Sequence, residues 1–346
     1  MRPTAIVSIG IAAALSAGCS GGSLIASNAR SATYSVHKTR GSWIRPDARK
    51  QWLLYVSDET NDTVDIYNFR AKNGELSGQI TGFDHPLGEC VDSAGNVYVA
   101  NFRGNDILEF AHAGTTPIAT AFDYYGRPVG CAVDPTTGNI AVSNTVTVSA
   151  PGNILIFSGG LGGSQTVISG SNISLDSFDP PAYDSGGNLF LEGSTYSAQP
   201  VFAELPVGSG TLELLNGLTI GQPAGVQWDG SYIAAADQNY ENSGVSAIYR
   251  VTVSGSAVTV VRTTVLTDTC SSGDYISLFQ PFIGGTTRKR NTVVAGNLAV
   301  ECSYRLDFWN YADGGNPKRV MPPNIAPEEA AGATLSPPGA AVEPRK

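Results

Sequence analysis

The sequence predicts an all-β fold assembled from a repeated unit of short strands. Glycine (40 residues) and proline (20 residues) make up about one residue in six of the 346-residue chain, as expected for a protein with many tight turns. Charged residues account for only 15% of the chain, against about 25% in an average soluble domain. Short apolar segments followed by a turn motif recur at intervals of 42, 50 and 45 residues. Together these observations favour stacked antiparallel sheets.

Composition also excludes several classes of protein. A helical bundle or coiled coil is richer in Ala, Glu, Lys and Leu, and a disordered chain does not reach the 42% hydrophobic content of this one. The net charge of −9 leaves no cationic surplus for nucleic-acid phosphates. Three histidines and five cysteines are too few for a His-rich or multi-cluster metalloprotein. We therefore expect a globular protein with no nucleic-acid partner and no cofactor.

The N-terminus predicts export. Arg2 is the only charged residue among the first 29, and the apolar run from Ala5 to Leu15 has the length of a signal-peptide core. The small residues before Cys19 resemble a bacterial lipobox, with Ser16 where Leu is usual. We expect a lipoprotein-type signal peptide over 1–18, a lipid on Cys19 and a tether and pre-propeller segment over 19–50. An ordinary secretory signal is the alternative. The protein is then an outer-membrane or cell-surface lipoprotein, held only by its lipid, or a periplasmic or secreted protein.

Four segments in the middle of the chain share one pattern. Each has a first strand that ends in aspartate, a Gly-containing turn, a second apolar strand, a third alternating strand and a variable fourth strand. The aspartates are Asp92, Asp134, Asp184 and Asp229. An aspartate here can accept hydrogen bonds from backbone N–H groups of the turn that follows, so we assign these residues to turns. A period of this length with short strands is typical of β-propeller blades.

The number of units predicts a closed ring of six blades over residues 51–336. The opening unit, which begins with Leu53-Leu-Tyr-Val-Ser-Asp58, lacks a first strand, and a degenerate unit follows the four clear repeats. Residues 332–336 match the first-strand pattern, so we expect them to complete the opening blade and to remove exposed sheet edges. The alternative is that 323–346 is a disordered tail; on the closed interpretation only 337–346 is disordered.

The cysteines provide a test of this alignment. Cys90 and Cys131 occupy adjacent positions of the repeat, and adjacent residues of a strand face opposite sides. One side chain therefore points to the following blade and the other to the preceding blade, as a bridge between neighbouring first strands requires. We predict a Cys90–Cys131 disulfide and, by elimination, Cys270–Cys302. Buried free thiols are the alternative.

The repeat also resembles a known family. The motif Pro-x-Gly-x-x-Val-Asp-x-x-Gly-Asn is similar to NHL-type repeats of the six-bladed, TolB-like propeller superfamily, and the segments at Gly88–Asp92, Gly130–Asp134 and Gly225–Asp229 carry it. The stretch from Trp43 to Ser336 resembles exported bacterial propeller proteins of unassigned function. The resemblance implies the fold more than an activity, because propellers include binding modules and enzymes alike.

Loops between fourth and first strands are expected to form the mouth of a central channel, where binding residues usually lie. The candidate ligand-binding residues are His85, Glu89, Arg127, Asp179, Gln222 and Asp274; Gln227 and Gln280 are further polar residues near this face. They show no ligand pattern, so no catalytic residue or metal is assigned. We expect a monomeric, non-catalytic binding or scaffold module for a protein, glycan or small ligand.

The alternative function is a metal-dependent hydrolase. Resemblance to the senescence-marker/gluconolactonase hydrolases implies a divalent metal held by converging oxygen ligands, with Glu89 and Asp274 as the residues available for it. The other blades carry Cys131, Pro181, Val226 and Ala333 where Glu89 stands, which disfavours such a site.

Overall fold

The computed structural model describes residues 41–71, 74–147, 151–168, 175–267, 279–284, 292–297, 305–311, 313–321, 326–327 and 329–338. Within these residues the chain is all-β, apart from one turn of 3-10 helix at Ala48–Lys50. Cys19, Cys270, Asp274, Cys302 and the tail beyond 338 lie outside the described residues, and so do the predicted signal peptide and most of the tether.

The strands follow one another in the order β1 (Trp43–Ile44), β2 (Leu53–Asp58), β3 (Thr63–Asn68), β4 (Leu76–Thr81), β5 (Pro86–Val91), β6 (Val97–Asn101), β7 (Asp106–Phe110), β8 (Pro117–Phe122), β9 (Arg127–Val133), β10 (Ile140–Thr145), β11 (Asn153–Phe157), β12 (Gln165–Ile168), β13 (Leu175–Phe178), β14 (Ala182–Tyr183), β15 (Leu189–Thr195), β16 (Pro200–Leu205), β17 (Glu213–Leu214), β18 (Pro223–Trp228), β19 (Ile233–Tyr240), β20 (Val245–Ser254), β21 (Ala257–Leu266), β22 (Phe282–Gly284), β23 (Thr292–Asn297), β24 (Arg305–Asn310), β25 (Arg319–Met321) and β26 (Ala330–Ser336).

These strands form five antiparallel sheets among the described residues. Sheet 1 has the order β1-β4-β3-β2-β26, sheet 2 is β5–β8, sheet 4 is β18–β21 and sheet 5 is β22–β25. Sheet 3 contains two four-stranded halves, β9–β12 and β14–β17, which β13 joins by pairing with both β10 and β15. Each four-stranded unit follows the first-to-fourth strand order that the repeat predicts.

Aspartate side chains build the turns between first and second strands. Asp92 Oδ1 accepts hydrogen bonds from the backbone N–H groups of Ala94 and Asn96, and Asp184 Oδ1 accepts the equivalent pair from Gly186 and Asn188. Asp134 and Asp229 also accept backbone N–H groups from their own turns. The turn role assigned from the sequence is confirmed.

Both ends of the described chain add strands to sheet 1. Strand β26 pairs with β2 from Leu53 opposite Ser336 to Asp58 opposite Ala330, and all seven of its residues are buried. Strand β1 pairs with the outer strand β4, although the sequence boundaries place residues 43–44 in the tether. The outer edge of a sheet presents unpaired N–H and C=O groups, and β1 satisfies those of β4.

A disulfide joins Cys90 of β5 to Cys131 of β9, with the two Cα atoms 5.5 Å apart. This is the pair that the one-residue offset in the repeat predicts. Both residues belong to a buried apolar cluster with Tyr98, Ile107 and Val142. The bridge therefore fastens sheet 2 to the first half of sheet 3 inside a packed interface.

First strands of successive units approach so closely that glycine is required between them. A β-carbon at Gly332 would lie 2.6 Å from the carbonyl oxygen of Leu87, and one at Gly88 would lie 2.7 Å from the Cα atom of Gly130. Gly130 in turn packs on Pro180, whose carbonyl oxygen accepts the N–H of Val226 at 2.9 Å. These contacts link sheets 1, 2, 3 and 4 in succession.

Gln280 connects sheet 4 to sheet 2. Its backbone N–H donates to the carbonyl oxygen of Ala224 in sheet 4 at 2.8 Å. Its side chain donates to the carbonyl oxygen of Glu89 at 2.6 Å and accepts the Glu89 N–H at 2.7 Å. The amide therefore joins the residues leading into sheet 5 to β5 of sheet 2, across the place where the first strands meet.

We expect the Gly88→Ala variant to lose about 1–3 kcal/mol of unfolding free energy, the usual cost of overpacking. The atoms that a β-carbon would strike are backbone atoms of Val129 and Gly130, which cannot rotate away. Urea unfolding measures the effect. The matched control is Gly210→Ala, since Gly210 has no atom near its β-carbon position. Equal midpoints for the two variants would contradict the close packing.

Candidate functional site

One end of the sheets gathers most of the predicted site residues. In each unit the first strand starts, and the second strand ends, at the same end of an antiparallel sheet. We call this end the upper face and define it by the loops 59–62, 82–85, 102–105, 123–126, 196–199 and 241–244 and by residues 221–222, which donate to Asp237 at the end of β19. His85 and Gln222 lie in these loops, and Arg127 immediately follows one.

The register of the sheets adds a residue that sequence reasoning missed. Pro86 lies opposite Asn101, and Pro128 lies opposite Asn144. Ala330 lies opposite Asp58 in the same way, so Glu329 takes the place that His85 and Arg127 hold in their own units. The repeat motif begins with a proline, and no proline follows Glu329, so the motif does not reveal this equivalence. The usable signal was a glycine three residues later, as found after His85, Arg127 and Gln222.

His85 is held in an unusual backbone conformation. Its φ of 59° lies in the left-handed region that few non-glycine residues adopt, and residues before proline normally prefer extended backbone. The His85 N–H donates to Asp62 Oδ1 at 2.8 Å, and its Nε2 lies 2.8 Å from Glu59 Oε2. The loop 59–62 therefore holds both the backbone and the ring of His85. Such strain is often found at functional sites.

Glu59 and Glu329 form a carboxyl pair beside His85. Burial and the charge of Glu59 raise the pKa of Glu329 to about 7. Burial opposes ionisation of Glu59 too, but hydrogen bonds from His85 and Glu329 lower its pKa. Thr60 Oγ1 donates to Glu329 Oε2 at 2.7 Å. The two carboxyl groups therefore differ in proton affinity, because the same burial and mutual repulsion raise the pKa of Glu329 while the hydrogen bonds lower that of Glu59.

An aromatic ring and an arginine lie next to His85, and two tyrosines lie in the neighbouring loop. The His85 ring lies 5.7 Å from the Phe102 ring, and Arg127 Cζ lies 5.6 Å from the centre of the same ring. Tyr124 and Tyr125 in the adjacent loop are 78% and 45% exposed. The loop keeps its shape because Asp123 Oδ1 accepts the N–H groups of Tyr125 and Gly126. Exposed Tyr and Arg are enriched in protein interfaces.

Glu89, unlike His85 and Arg127, does not lie on the upper face. Its side chain is buried between sheets 1 and 2, where Oε1 accepts a hydrogen bond from Ser57 Oγ at 2.8 Å. Burial raises its pKa well above the usual range. Glu89 comes one residue after Gly88, and alternate residues of a strand face opposite sides. Its position in the repeat therefore directs it towards the neighbouring sheet, and the placement of Glu89 at the mouth is corrected.

The other candidates differ in exposure. Gln222 is exposed, and its N–H donates to Asp237 Oδ1 at 3.0 Å. Asp179 is buried, its N–H donates to the carbonyl oxygen of Glu192, and burial raises its pKa to about 7. Asp274 cannot be placed because it lies outside the described residues. The upper face thus unites His85, Arg127 and Gln222, and adds Glu59, Phe102, Tyr124, Tyr125 and Glu329.

No cluster of three His, Cys, Asp or Glu side chains that could hold a metal ion occurs in the described part of the chain. The hydrolase interpretation needs Glu89 at the mouth, and the buried position of this residue removes that support. The same described residues contain no helix long and apolar enough to span a membrane.

Comparison with known proteins supports a β-propeller fold. A chain in the crystal structure of a nidogen/laminin complex superimposes with a TM-score of 0.58 at 15% identity, over 84% of this chain and 99% of that one. A protein of unknown function from Bacteroides caccae gives 0.58 at 12% identity, over 83% and 99%. A functionally unknown protein from Desulfotomaculum acetoxidans gives 0.52 at 10% identity, over 83% and 99%. No family model and no curated protein matches the sequence.

Proposed function

We propose that this protein is an exported, non-catalytic binding module, a six-bladed propeller of the NHL-type that recognises a partner protein through its upper face. The observation that carries the proposal is that Tyr124, Tyr125 and Arg127 are exposed on one short stretch of chain, and that Arg127 and His85 both contact Phe102. Rigid aromatic side chains next to arginine are the usual anchors of protein interfaces.

Six blades account for the sheets better than five. Sheets 1, 2, 4 and 5 each supply one unit, and the halves β9–β12 and β14–β17 of sheet 3 supply two. The pairing of β26 with β2 and the contacts from Gly332 through Gly130 to Gln280 support a closed ring. A closed ring of sheets is a rigid scaffold, on which loops commonly carry binding residues.

A partner protein fits the upper face better than a small molecule does. The aromatic side chains of loop 123–126 project into solvent, whereas small ligands usually occupy concave sites. The structural neighbour from the nidogen/laminin structure was itself crystallised as a complex. A glycan, which also stacks on exposed aromatic rings, is the second class of ligand to test.

Export is part of the proposal. The Cys90–Cys131 disulfide is of a kind that persists mainly in oxidising compartments, in agreement with the predicted signal peptide and with lipid on Cys19. Mass spectrometry of the mature N-terminal peptide tests it. We expect a peptide that starts at Cys19 and carries a lipid-sized increment; an unmodified Cys19 would contradict the anchor.

We expect added Ca²⁺ or Zn²⁺ to leave the melting temperature unchanged and lactone substrates to remain intact. The reason is that the Glu89 carboxylate is buried between two sheets, where Ser57 Oγ donates to its Oε1. Thermal melts in chelator and in each metal, with a lactone hydrolysis assay, measure both effects. A rise in melting temperature together with turnover would establish the hydrolase and overturn the non-catalytic reading.

Photocrosslinking tests the upper face directly. A crosslinking amino acid at Tyr124, in cells that produce the full chain, should give a discrete adduct with a partner protein. The same group at Val207, which is 60% exposed on the opposite end, is the matched control. Adducts from Val207 alone, or from neither position, would contradict the proposal.

A further inference from the structure

A cleft lies at the other end of the sheets from the upper face. It has a volume of about 400 Å³ and separates the second half of sheet 3 from sheet 4. Phe190, Trp228 and Tyr232 line it, together with Asp184, Glu204 and Glu213. This volume lies in the range of small-molecule sites, and the proposed function makes no use of it.

The sheet 3 side of the cleft is acidic. Glu204 on β16 lies directly opposite Glu213 on β17, an arrangement of like charges that destabilises a sheet. Burial, then the charges of Asp184 and Glu213, raise the pKa of Glu204. No Lys, Arg or His is among the described residues that line the cleft. A bound cation would relieve this repulsion.

The sheet 4 side is aromatic and carries no competing cation into the cleft. Arg250 lies over the Tyr232 ring, with Cζ 4.6 Å from its centre. The guanidinium is already paired, since its Nε lies 2.6 Å from Asp229 Oδ2. Trp228 on this side is partly exposed, and Phe190, which belongs to β15 on the sheet 3 side, is buried. An apolar chain can therefore lie against the aromatic wall while its charged ends face the carboxylates.

We propose that this cleft binds a linear aliphatic polyamine. Such a molecule has ammonium groups separated by methylene segments, so it matches the paired Glu204 and Glu213 and the wall at Trp228 together. Ammonium–carboxylate hydrogen bonds are the strong class of hydrogen bond, and a cation beside an aromatic face gains further attraction. A neutral sugar would leave the acidic repulsion in place.

Calorimetric titration with spermidine in about 0.15 M salt, where surface charges are largely screened, tests the proposal. We expect one site on the full chain and at least about tenfold weaker binding in Glu204→Gln/Glu213→Gln, equal to about 1.4 kcal/mol. The matched control, Asp84→Asn/Glu241→Gln, removes two exposed carboxylates from the upper face and should bind as the wild type does.

A second variant keeps the test independent of the two glutamates. Thr252 is exposed and lines the cleft, so Thr252→Lys places a cation there without altering the core and should abolish binding. Equal losses in the cleft and control variants would show charge attraction only. Displacement of spermidine by an equal concentration of Mg²⁺, or binding of a neutral oligosaccharide instead, would also overturn the assignment.

Discussion

The Cys90→Ala/Cys131→Ala variant is expected to lose about 4 kcal/mol of unfolding free energy, the chain-entropy value for a loop of this length. The two cysteines are 41 residues apart, so the bridge restricts a long segment of the unfolded chain. Alanine keeps the buried positions apolar, which confines the change largely to the crosslink. Urea unfolding of the oxidised wild type and of the variant measures the difference.

Reduction of the wild type provides the control for this variant. Reduced wild type should unfold near the variant's midpoint, and reductant should have much less effect on the variant, where only the remaining cysteines respond. A variant as stable as the oxidised wild type would show that Cys90 and Cys131 are not bridged in the folded protein.

The Asp179→Asn variant is expected to be more stable than the wild type at pH 8 by up to about 4 kcal/mol. Burial raises the pKa of Asp179 from its usual 3.8 to about 7 in the folded state, and each tenfold change in proton affinity corresponds to about 1.4 kcal/mol. The folded state therefore binds the proton more tightly than the unfolded state does. This cost grows as pH rises from about 4 through about 7 and is fully present above that.

The pH dependence distinguishes this effect from ordinary repacking. The stability difference between Asp179→Asn and the wild type should fall below about 1 kcal/mol at pH 4 and approach zero only below about pH 3, where Asp179 is protonated in both the folded and the unfolded state. Asp47→Asn, which changes an exposed carboxylate, is the control for loss of a surface charge. A stability difference that stays constant from pH 4 to pH 8 would contradict the buried, proton-binding Asp179.

Much of the strand order was predictable because each unit repeats its turn chemistry. Asp92, Asp134 and Asp184 mark the turns, and the Cys90–Cys131 offset fixed which strands are neighbours. Strand β13 was not predicted, since it belongs to no repeat and pairs with β10 and β15 from a linking segment. Strand β1 was missed because two residues are too short to show a periodic pattern.

The site was harder to predict because exposure depends on side-chain direction. The upper-face positions of His85, Arg127 and Gln222 could be predicted, because each lies where a first strand of the repeat begins. Glu89 is the residue after Gly88, and successive residues of a strand point to opposite faces. Its side chain therefore lies between sheets 1 and 2 and not at the mouth. Glu59 and Tyr124 come from loops that vary in sequence between units, so no repeat indicates them. The Glu59–Glu329 pair joins residues from opposite ends of the described chain, which only the pairing of β26 with β2 brings together.

The central claim is that the upper face carries recognition, and the affinity of one variant pair tests it most directly. The partner captured at Tyr124 would be titrated against immobilised wild type, Arg127→Ala and Val207→Ala. Arg127→Ala should weaken binding at least about tenfold, as hot-spot truncation does, and Val207→Ala should bind as the wild type. Unchanged affinity in Arg127→Ala with a loss in Val207→Ala would place recognition at the other end and contradict the account.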